Sequence, residues 1–433
     1  MQRNNIRVCV IGLGYIGLPT AALIASRGAT VIGVDIDPSV VATIADGRIH
    51  IAEADLDGLV QKSVFSKRLL ARSTPEPAEV FMIAVPTPLS GNKKPVIDHV
   101  LAAARSIAPH LQKGNLVILE STSPVGTTEQ VCELLAGLRP DLTFPKSSGH
   151  GKAPDIAVAY CPERVLPGRI LIELVQNDRC VGGMTPGCAA KAREFYELFV
   201  RGKCIETGAR TAEMVKLTEN AFRDTNIAFA NELSLICDHV GIDPWEVIEL
   251  ANRHPRVEIL KPGPGVGGHC IAVDPWFIVD AAPHQARLIR TSREVNDGKA
   301  DYVLERAKAL IESYPEREVT CLGLTFKANV DDLRESPALE IAERLAADSD
   351  TRIQVVEPFI EELPAQLAKY GARKIELDEA LKQSGILILL VDHDAFRRVD
   401  ATRRNGAIVL DTRGIWRDAP KKPVSAQRQP LPA

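Results

Sequence analysis

The sequence lacks a close pair of cysteines, a long apolar run and an excess of charge of either sign. Its nine cysteines are scattered without a C-x-x-C pair, which argues against a zinc or dithiol site and favours reduced thiols in a cytoplasmic protein. The late apolar run Ile386 to Val391 is far shorter than the roughly 18 residues that span a bilayer. Gly12, Gly14 and Gly17 interrupt the first apolar stretch, so we expect no signal peptide. The formal net charge of -4 provides no general attraction to nucleic acid or an anionic membrane.

The composition is that of an ordinary globular protein. The chain has 433 residues, of which 45% are hydrophobic and 25% charged, so we expect two or three domains with sizeable cores. Strand and helix patterns alternate over residues 7–161, and residues 211–240 contain no Gly or Pro and predict one long helix of roughly 45 Å. A second α/β block begins near 319. We therefore predict an α/β protein with two Rossmann-like doubly wound domains joined by a long central helix. We expect residues 145–154 to form a mobile loop.

A glycine motif stands at the start of the first block. Gly12, Gly14 and Gly17 form G-x-G-x-x-G between a strand and a helix, where backbone N–H groups and the helix N-terminus can face a pyrophosphate. Asp35 ends the next strand, where its carboxylate could accept hydrogen bonds from a ribose diol and would repel a 2′-phosphate. The motif therefore favours NAD over NADP, and FAD suits the chain's thiol and amine chemistry less well. The alternative is a tight turn beside a surface aspartate.

Cys270 follows a glycine-rich loop, KPGPGVGGHC. Backbone amides at Gly263, Gly265, Gly267 and Gly268 can approach a bound group closely. A free thiol has a pKa of about 8.5, and loop amides with a nearby ammonium group could lower it enough to supply a thiolate. Cys270 is therefore the candidate covalent nucleophile. The alternative is an inert core residue.

Two further groups in the sequence carry acid, base or amide chemistry. Lys216 and Asn220 are four residues apart on the predicted long helix, so they share a face and could stabilise an oxyanion. The alternative is a solvated helix face. Asp274, four residues after Cys270, could pair with Lys216 or cap the following segment.

Polar residues also follow two predicted strands. Glu163 comes after the strand IAVAYC, and Thr122 comes after LVILE. Ligands gather at the carboxyl ends of strands in such sheets, so Glu163 is a candidate acid or base and Thr122 a candidate for positioning water. The alternatives are a surface carboxylate and a helix cap. Cationic residues in NRHPRVEILKP and TFKANVDDLRESPA suit a diphosphate, with a solvated surface as the alternative: Arg253, His254, Arg256, Lys327 and Arg334.

Seven segments together resemble the UDP-glucose/GDP-mannose dehydrogenase family, from about Ile6 to Trp416. They are GLGYIG, VPTP, ESTSPVGT, CPERVLPG, AEMVKLTEN, GPGVGGHCIAVDPW and TFKANVDDLRESPA. CPERVLPG, NRHPRV and GGHCIAVDPWF resemble the branch that acts on UDP-N-acetyl-D-mannosamine. Related branches also carry GGHC, so UDP-N-acetylglucosamine or another nucleotide sugar is the alternative substrate. Family members that act on UDP-glucose and GDP-mannose carry Leu-Pro-Lys-Asp after the cysteine, whereas this chain has Ile271, Ala272, Val273 and Asp274, so the role of that lysine does not transfer.

The resemblance implies a reaction and a domain plan. It implies an NAD-binding Rossmann domain at 1–208, a central helical dimerisation region with the cysteine loop at 209–305, a UDP-sugar-binding Rossmann-like domain at 306–416 and a disordered tail at 417–433. The implied reaction is the four-electron oxidation of the sugar C6 alcohol to a carboxylate with NAD, through a thiohemiacetal and a thioester on Cys270. It further implies a cytoplasmic homodimer that serves bacterial surface polysaccharide synthesis, without a metal.

The resemblance also implies roles for individual residues. The implied catalytic residues are Cys270, Lys216, Asn220, Glu163, Asp274 and Thr122. The implied NAD contacts are Gly12, Gly14, Tyr15, Ile16, Gly17, Asp35, Pro86, Thr87, Thr122 and Arg334. The implied substrate contacts are Glu163, Arg164, Val165, Lys216, Asn220, Arg256, Gly267 and Lys327, with Arg256 and Arg334 as candidates for contacts across a dimer.

Two other hypotheses from the residues stay open at this point. A two-electron dehydrogenase of a small hydroxy acid would share the NAD fold and a Lys/Asn pair, and it would form one NADH per turnover, but it leaves Cys270 and the second α/β block unexplained. A non-catalytic NAD-binding sensor would bind NAD and reduce none of it with any nucleotide sugar.

Overall fold

The computed structural model describes residues 6–51, 53–145, 153–166, 168–348, 352–383, 385–404 and 406–417. The chain divides into two compact units, the first made of residues 1–219 and 276–283 and the second of residues 220–275 and 284–433. Most of the loop predicted at 145–154, and the predicted disordered tail beyond residue 417, lie outside the described residues.

The first unit contains a sheet with the strand order β3-β2-β1-β4-β5-β6-β7-β8. Its strands are β1 Arg7–Ile11, β2 Thr30–Val34, β3 Leu69–Arg72, β4 Val80–Ile83, β5 Leu116–Leu119, β6 Ala157–Tyr160, β7 Arg179–Gly183 and β8 Cys204–Gly208. The neighbouring strands pair in parallel, apart from β6 and β7, which are antiparallel. The helices that accompany them are α1 Gly17–Ser26, α2 Pro38–Ala45, α3 Leu56–Phe65, α4 Asp98–Ile107, α5 Thr127–Leu138, α6 Ile170–Gln176 and α7 Pro186–Tyr196.

The second unit contains a parallel sheet with the order β11-β10-β9-β12-β13. Helices α8 Ala209–Val240, α9 Pro244–Ala251, α10 Asp274–Ala281 and α11 Arg287–Ser313 precede it in the chain, although α8 begins in the first unit and most of α10 belongs to that unit. Its strands are β9 Val319–Leu322, β10 Ile353–Val356, β11 Arg373–Lys374, β12 Ile386–Leu389 and β13 Ile408–Asp411. The remaining helices are α12 Pro337–Asp348, α13 Ala365–Lys369, α14 Leu377–Lys382 and α15 Asp394–Arg397. The predicted α/β class, with two Rossmann-like sheets and a long helix between them in the chain, is confirmed.

Each face of the first sheet carries its own core. In β1, Val8 and Val10 belong to one buried cluster and Cys9 and Ile11 to the other, because successive side chains of a strand point to opposite faces. A sheet covered on both faces reads as a continuous apolar run, and this is how β1, β4, β5 and β6 appear in the sequence. No helix among the described residues carries an apolar stretch long enough to cross a bilayer.

The two sheets share one local design at their first turns. Gly12 N–H donates to the Val34 carbonyl oxygen at 2.8 Å, and Gly323 N–H donates to the Val356 carbonyl oxygen at 2.9 Å. Both glycines have a φ near +90°, which glycine adopts at little cost. In both turns the next N–H group donates to the carboxylate that ends the second strand, Asp35 in the first sheet and Glu357 in the second. The two α/β blocks are therefore built on the same turn.

The predicted helix at 211–240 is α8, which has 32 residues, and the boundary between the two units falls inside it. At about 100° per residue, positions three, four or seven apart lie on one side of a helix. Polar residues on one such side are buried to an unusual degree, with four buried side chains and a half-buried Asn220 among the following five: Glu213, Lys216, Asn220, Asp224 and Asn231.

Candidate functional site

The three glycines of the turn after β1 differ in the space that a side chain would find there. A Cβ on Gly12 would lie 2.6 Å from the Ala84 carbonyl oxygen, and a Cβ on Gly17 would lie 1.8 Å from the Gly12 carbonyl oxygen, so neither position accepts a side chain. A Cβ on Gly14 would meet no surrounding protein atom within 4 Å. Open space beside the Gly14 backbone, in the turn that leads into α1, suits the approach of a phosphate group. The turn therefore fits the pyrophosphate of a dinucleotide.

Asp35 connects this turn to the end of β2. Its Oδ2 accepts from Leu13 N–H at 2.9 Å and its Oδ1 accepts from Asp37 N–H at 3.0 Å. A carboxylate has about four acceptor positions, so Asp35 keeps capacity for the hydroxyls of a ribose. Tyr15 and Ile16 are half-buried in the same turn.

The loop after β5 brings two of the predicted cofactor residues together. The Thr87 hydroxyl donates to the Thr122 carbonyl oxygen, and Pro86 precedes Thr87 in the chain. Thr122 is not the cap of α5, which begins five residues later. The alternative interpretation of Thr122 as a helix cap is therefore wrong.

The N-terminus of α5 is capped by a residue that the sequence analysis missed. The Glu213 carboxylate, on α8, accepts from Gly126 N–H at 2.6 Å and from Thr128 N–H at 2.8 Å. A carboxylate at a helix N-terminus satisfies orphan N–H groups and the helix dipole. Glu213 therefore holds the loop that carries Thr122. Its position three residues before Lys216, on the same side of α8, was the available signal.

Glu163 lies on a tethered loop after β6. The Arg164 guanidinium donates to the Glu219 carboxylate at 2.7 Å and to the Asp178 carbonyl oxygen. Val165 N–H donates to the Glu163 carboxylate itself. The loop is thus fixed between α8 and the turn before β7, and the Arg164 side chain is engaged by protein groups.

Glu163 is a group whose charge changes near neutral pH. Burial raises the pKa of Glu163 to about 7, while the Lys216 ammonium and the Arg179 guanidinium lower it against that effect. An acid or base works best when its pKa lies near the working pH. The carboxyl of Glu163 is therefore suited to accept a proton from water.

A buried polar cluster, which we call the Glu120 cluster and which consists of Glu120, Arg179 and Tyr196, shares this edge of the sheet. The Tyr196 hydroxyl donates to Glu120 Oε1 at 2.8 Å, and the Arg179 guanidinium lies 3.5 Å from the same oxygen. The guanidinium also lies 5.1 Å from the Tyr196 ring centroid. No motif marks these residues, and only the antiparallel entry of β7 brings Arg179 to this edge.

Lys216 and Asn220 differ in their surroundings. Lys216 is 7% exposed, which excludes the alternative of a solvated lysine. The Asn220 amide donates to Asp274 Oδ2 at 2.5 Å, and Asp274 is buried. Asp274 N–H donates in turn to the Cys270 carbonyl oxygen at 2.8 Å. Asn220, Asp274 and Cys270 therefore lie together in the second unit, and Lys216 lies one turn earlier on α8.

The glycines before Cys270 are explained by protein contacts. A Cβ on Gly267 would lie 2.4 Å from the Glu335 carbonyl oxygen, and a Cβ on Gly268 would lie 2.9 Å from the Phe326 ring. Gly268 N–H also donates to the Arg334 carbonyl oxygen at 3.1 Å. The cysteine loop therefore packs closely against the segment TFKANVDDLRESPA. From the sequence we had expected these glycines to allow the close approach of a bound group. Cys270 forms no disulfide and is half-buried.

The predicted cationic residues lie at separate places in the second unit. Arg253, His254 and Arg256 are exposed after α9. Lys327 is half-buried on the loop after β9, and the Arg334 guanidinium pairs with Asp332 at 2.6 Å.

Arg413, after β13, is a cation that the sequence analysis missed. A Cβ on Gly263 would lie 2.3 Å from its guanidinium, and its Nη2 lies 2.8 Å from Asp392 Oδ1. Because residue 263 has no side chain, the Arg413 guanidinium can lie against the backbone of the cysteine loop. The motif DTRG gave no indication of this approach.

A dinucleotide turn with a carboxylate at the end of β2, a buried lysine on α8, a half-buried cysteine whose carbonyl oxygen accepts from Asp274 N–H, and a second Rossmann-like sheet are the features of an NAD-dependent dehydrogenase. Comparison with known proteins gives the same class. The UDP-glucose/GDP-mannose dehydrogenase family matches with its NAD binding domain at residues 6–200, its central domain at 210–298 and its UDP binding domain at 320–418. The chain belongs to this family of NAD-dependent nucleotide-sugar dehydrogenases.

Similar proteins span nearly the whole chain. The NDP-N-acetyl-D-galactosaminuronic acid dehydrogenase of Ralstonia nicotianae is 59% identical over 94% of this chain and 96% of its own. The UDP-N-acetyl-D-mannosamine dehydrogenase of Escherichia coli K12 is 55% identical over 95% of this chain and 99% of its own. The solved structure of a UDP-D-ManNAc dehydrogenase from Pyrococcus horikoshii has a TM-score of 0.85 at 36% identity, covering 96% of this chain and 97% of that one. The predictions of the family, of an enzyme and of NAD as its cofactor are confirmed.

Proposed function

We propose that this enzyme oxidises the C6 alcohol of UDP-N-acetyl-D-mannosamine to the carboxylate in two steps, with Cys270 as the covalent nucleophile. The observation that carries the proposal is the set formed by Asn220, Asp274 and Cys270: Asn220 donates to the buried Asp274 carboxylate, and Asp274 N–H donates to the Cys270 carbonyl oxygen. The similarity to a UDP-N-acetyl-D-mannosamine dehydrogenase over 95% of the chain supports the sugar. Bound NAD supplies the acceptor for the hydride that leaves C6 in each step.

The chain's own residues divide the work as follows. A water held by Asp274 takes the proton of the C6 hydroxyl, helped by the positive charge of Lys216, while the alcohol is oxidised to the aldehyde. The Cys270 thiolate then forms a C–S bond to the aldehyde carbon, and the hemithioacetal oxygen is stabilised by Lys216 and Asn220. Loss of the second hydride from that carbon leaves a thioester. Glu163 takes a proton from water, whose oxygen displaces the thiolate and releases the carboxylate.

The other proposed contacts extend this scheme. The NAD contacts are Gly12, Gly14, Tyr15, Ile16, Gly17, Asp35, Pro86, Thr87, Thr122 and Arg334. The substrate contacts, beside Lys216, Asn220 and Glu163, are Arg164, Val165, Arg256, Gly267 and Lys327, of which Arg164 also fixes its own loop. The proposed domains are 1–208, 209–305 and 306–416, with a tail at 417–433. We place the reaction in the cytoplasm because a nucleophilic thiol and eight further cysteines, all outside disulfides, suit a reducing compartment.

A panel of nucleotide sugars tests the substrate. Purified enzyme is given NAD and UDP-N-acetyl-D-mannosamine, UDP-N-acetylglucosamine, UDP-N-acetylgalactosamine, UDP-glucose or GDP-mannose, and the NADH formed per sugar is counted. With UDP-N-acetyl-D-mannosamine we expect two NADH per sugar. For each of the other sugars we expect kcat/KM to be at least tenfold lower than for UDP-N-acetyl-D-mannosamine. A higher kcat/KM for the galacto sugar would favour the second candidate, a substrate that gives N-acetylgalactosaminuronate, which the 59% identical relative supports.

Asp35 should control the affinity for NAD. Asp35→Ala removes both the ribose acceptor and the tether to Leu13 N–H, so we expect the KM for NAD to rise at least tenfold, with a smaller change in the KM for the sugar. Asp46→Asn, at an exposed aspartate that pairs with exposed Arg48, is the control. Equal KM values for NAD in the two variants would contradict this assignment.

Glu163 should set the pH dependence of product release. Since its pKa is raised to about 7, the carboxyl is protonated below that pH and cannot accept a proton, so kcat should rise as pH increases through about 7. Glu163→Gln should lower kcat and abolish this limb, whereas Glu197→Gln at an exposed site should retain it. An unchanged limb in the Glu163 variant would assign the titration to another group.

An exposed apolar stripe on α8 supports a homodimer. Its members are seven, seven and four residues apart on one side of the helix and are 53% to 69% exposed: Phe222, Phe229, Ile236 and Val240. A continuous apolar stripe at helical spacing is typical of a surface that packs on a partner helix. We propose that two copies of the chain pair through this stripe.

One charge within the stripe should separate the copies. Phe229→Glu buries a carboxylate in the proposed interface, so we expect a monomer by light scattering at micromolar concentration. Phe65→Glu, at a phenylalanine that is 72% exposed at the end of α3, is the matched control and should remain dimeric. A dimer in both variants would place the interface elsewhere.

A further inference from the structure

A buried chain of amides links the cysteine loop to α8 and α11. The Gly263 N–H donates to Asn231 Oδ1 at 2.9 Å, and the Asn231 amide N–H donates to Asn296 Oδ1 at 2.8 Å. The Asn296 amide N–H donates to Asp224 Oδ1 at 2.7 Å and to the Asp224 carbonyl oxygen at 3.0 Å. These four residues lie in the second unit and are buried.

The series of hydrogen-bonded amides ends in an ion pair. Arg293 Nη1 donates to Asp224 Oδ1 at 2.6 Å, and both side chains are at most 2% exposed. Asp224 Oδ1 therefore accepts from both Arg293 and Asn296. A buried charge pair of this kind is costly to break by removal of one member, so the Asp224 end of the chain is fixed.

The fixed end determines the orientation of every amide. Because Asp224 Oδ1 accepts, Asn296 must present its NH2 group there, which turns Asn296 Oδ1 toward Asn231. Asn231 must then present its own NH2 group to Asn296, which leaves Asn231 Oδ1 as an acceptor for the Gly263 N–H. An amide flipped at either asparagine would place two donors or two acceptors face to face, at the cost of an unsatisfied buried group.

Asn296 meets the loop at a second point. A Cβ on Gly265 would lie 3.3 Å from the Asn296 carbonyl oxygen and 3.0 Å from the Pro337 ring. The loop is thus seated at Gly263 by a directional hydrogen bond and at Gly265 by close packing. Both contacts come from residues outside the set that we assign to chemistry.

We propose that Asn231, Asn296 and the Asp224–Arg293 pair are positioning residues, which hold the loop from Gly263 to Cys270 in the geometry that the thiol needs. The inference rests on the proposed nucleophilic role of Cys270. A loop displaced by about 1 Å can cost roughly a hundredfold in rate, so buried residues without contact to substrate can govern catalysis.

The first variant replaces the side-chain NH2 donor of Asn231 by an acceptor oxygen and keeps the size of the side chain. Asn231→Asp retains an acceptor for Gly263 N–H but places an oxygen opposite Asn296 Oδ1, which conflicts with the orientation set by Asp224. Asp224→Asn weakens the fixed end without touching the loop. Thr320→Val is the control, since it deletes a buried hydrogen bond to Gln354, 3.2 Å long, in the sheet of the same unit.

Three readouts are taken well below the melting temperature of each full-length variant. Hydrogen exchange is followed in the peptide that contains residues 261–270, alkylation of the Cys270 peptide by iodoacetamide is followed by mass spectrometry, and kcat is measured with KM for NAD and sugar. For Asn231→Asp and Asp224→Asn we expect exchange at Gly263 at least tenfold faster, alkylation of Cys270 changed at least fivefold and kcat at least tenfold lower, with KM for NAD within twofold of the parent enzyme.

The outcomes separate the proposal from a purely structural role. If both variants melt earlier, as Thr320→Val does, but keep exchange, alkylation and kcat within twofold of the parent, the positioning role is overturned. Exchange and alkylation do not require turnover, so they decide the positioning role even if Cys270 is not the nucleophile. In that case the loop would respond to the variants while the Cys270→Ser enzyme kept its activity.

Discussion

Cys270→Ser should lower the rate of uronate formation by about a thousandfold or more, because a serine hydroxyl is far less nucleophilic than a thiolate at neutral pH. Without a C–S bond the aldehyde lacks the enzyme-bound tetrahedral adduct from which, in the proposed scheme, the second hydride leaves. The remaining activity should therefore give no more than one NADH per sugar, as free or hydrated aldehyde. The measurement is NADH formed per sugar, together with the product analysed by mass spectrometry.

A matched thiol provides the control for this substitution. Cys204 is a half-buried cysteine on β8 in the first unit, so Cys204→Ser makes the same chemical change at a thiol that the proposed mechanism does not use. It should retain two NADH per sugar and a kcat within twofold of the parent. Uronate formed at the normal rate by Cys270→Ser would remove the covalent step from the mechanism.

Lys216→Met should lower kcat by about a hundredfold to a thousandfold, the range found when a positioned charge that stabilises an oxyanion is removed. Methionine keeps the length of the side chain, so packing on α8 is preserved while the charge is lost. The Lys216 ammonium also lowers the pKa of Glu163 against the effect of burial. Its removal should therefore shift the pH limb of the residual activity upward.

The two effects of Lys216→Met are measured in one pH–rate series. Lys62→Met, at an exposed lysine on α3, should change neither kcat nor the limb. A Lys216 variant with reduced kcat but an unmoved limb would show that Glu163 is not the titrating group. A variant with normal kcat would exclude Lys216 from the chemistry altogether.

The sequence predicted the elements that follow simple periodicity. Strands β1, β2, β4, β5 and β6 and helix α8 were identified because buried parallel strands give continuous apolar runs and because thirty residues without Gly or Pro favour one helix, whereas β3 and β8 were not predicted. Strand β7 was not predicted, since its sequence RCVGG contains two glycines and its antiparallel pairing has no local signal. The same strand delivers Arg179 to Glu120 and Glu163.

Candidate site residues could be predicted where the residue type is itself reactive or charged and stands within a recognisable sequence motif. Asp35, Glu163, Lys216 and Cys270 were recognisable from residue type and from their places at strand ends, on a helix or after a loop. Their supporting partners were not, because a buried contact between residues far apart in the chain leaves no pattern in one sequence. Glu213 is the intermediate case, since it lies on the same side of α8 as Lys216.

The role of the cysteine-loop glycines shows the same limit. Their number indicated close approach, but one sequence cannot tell whether a ligand or the protein itself approaches. The structure places Phe326 and the Glu335 carbonyl oxygen where side chains at Gly268 and Gly267 would lie. Contacts within the second unit, and not a bound ligand, therefore account for these two glycines.

The central claim is that the sugar becomes covalently attached to Cys270, and the mass of a trapped enzyme tests it most directly. Glu163→Gln should slow hydrolysis of the thioester, so this variant is mixed with NAD and UDP-N-acetyl-D-mannosamine, quenched in acid and digested. We expect the peptide that contains Cys270 to gain the mass of one nucleotide-sugar acyl group, and no gain in Cys270→Ser combined with Glu163→Gln. Turnover that gives two NADH per sugar with no adduct on that peptide, or with the adduct on another residue, would contradict the account.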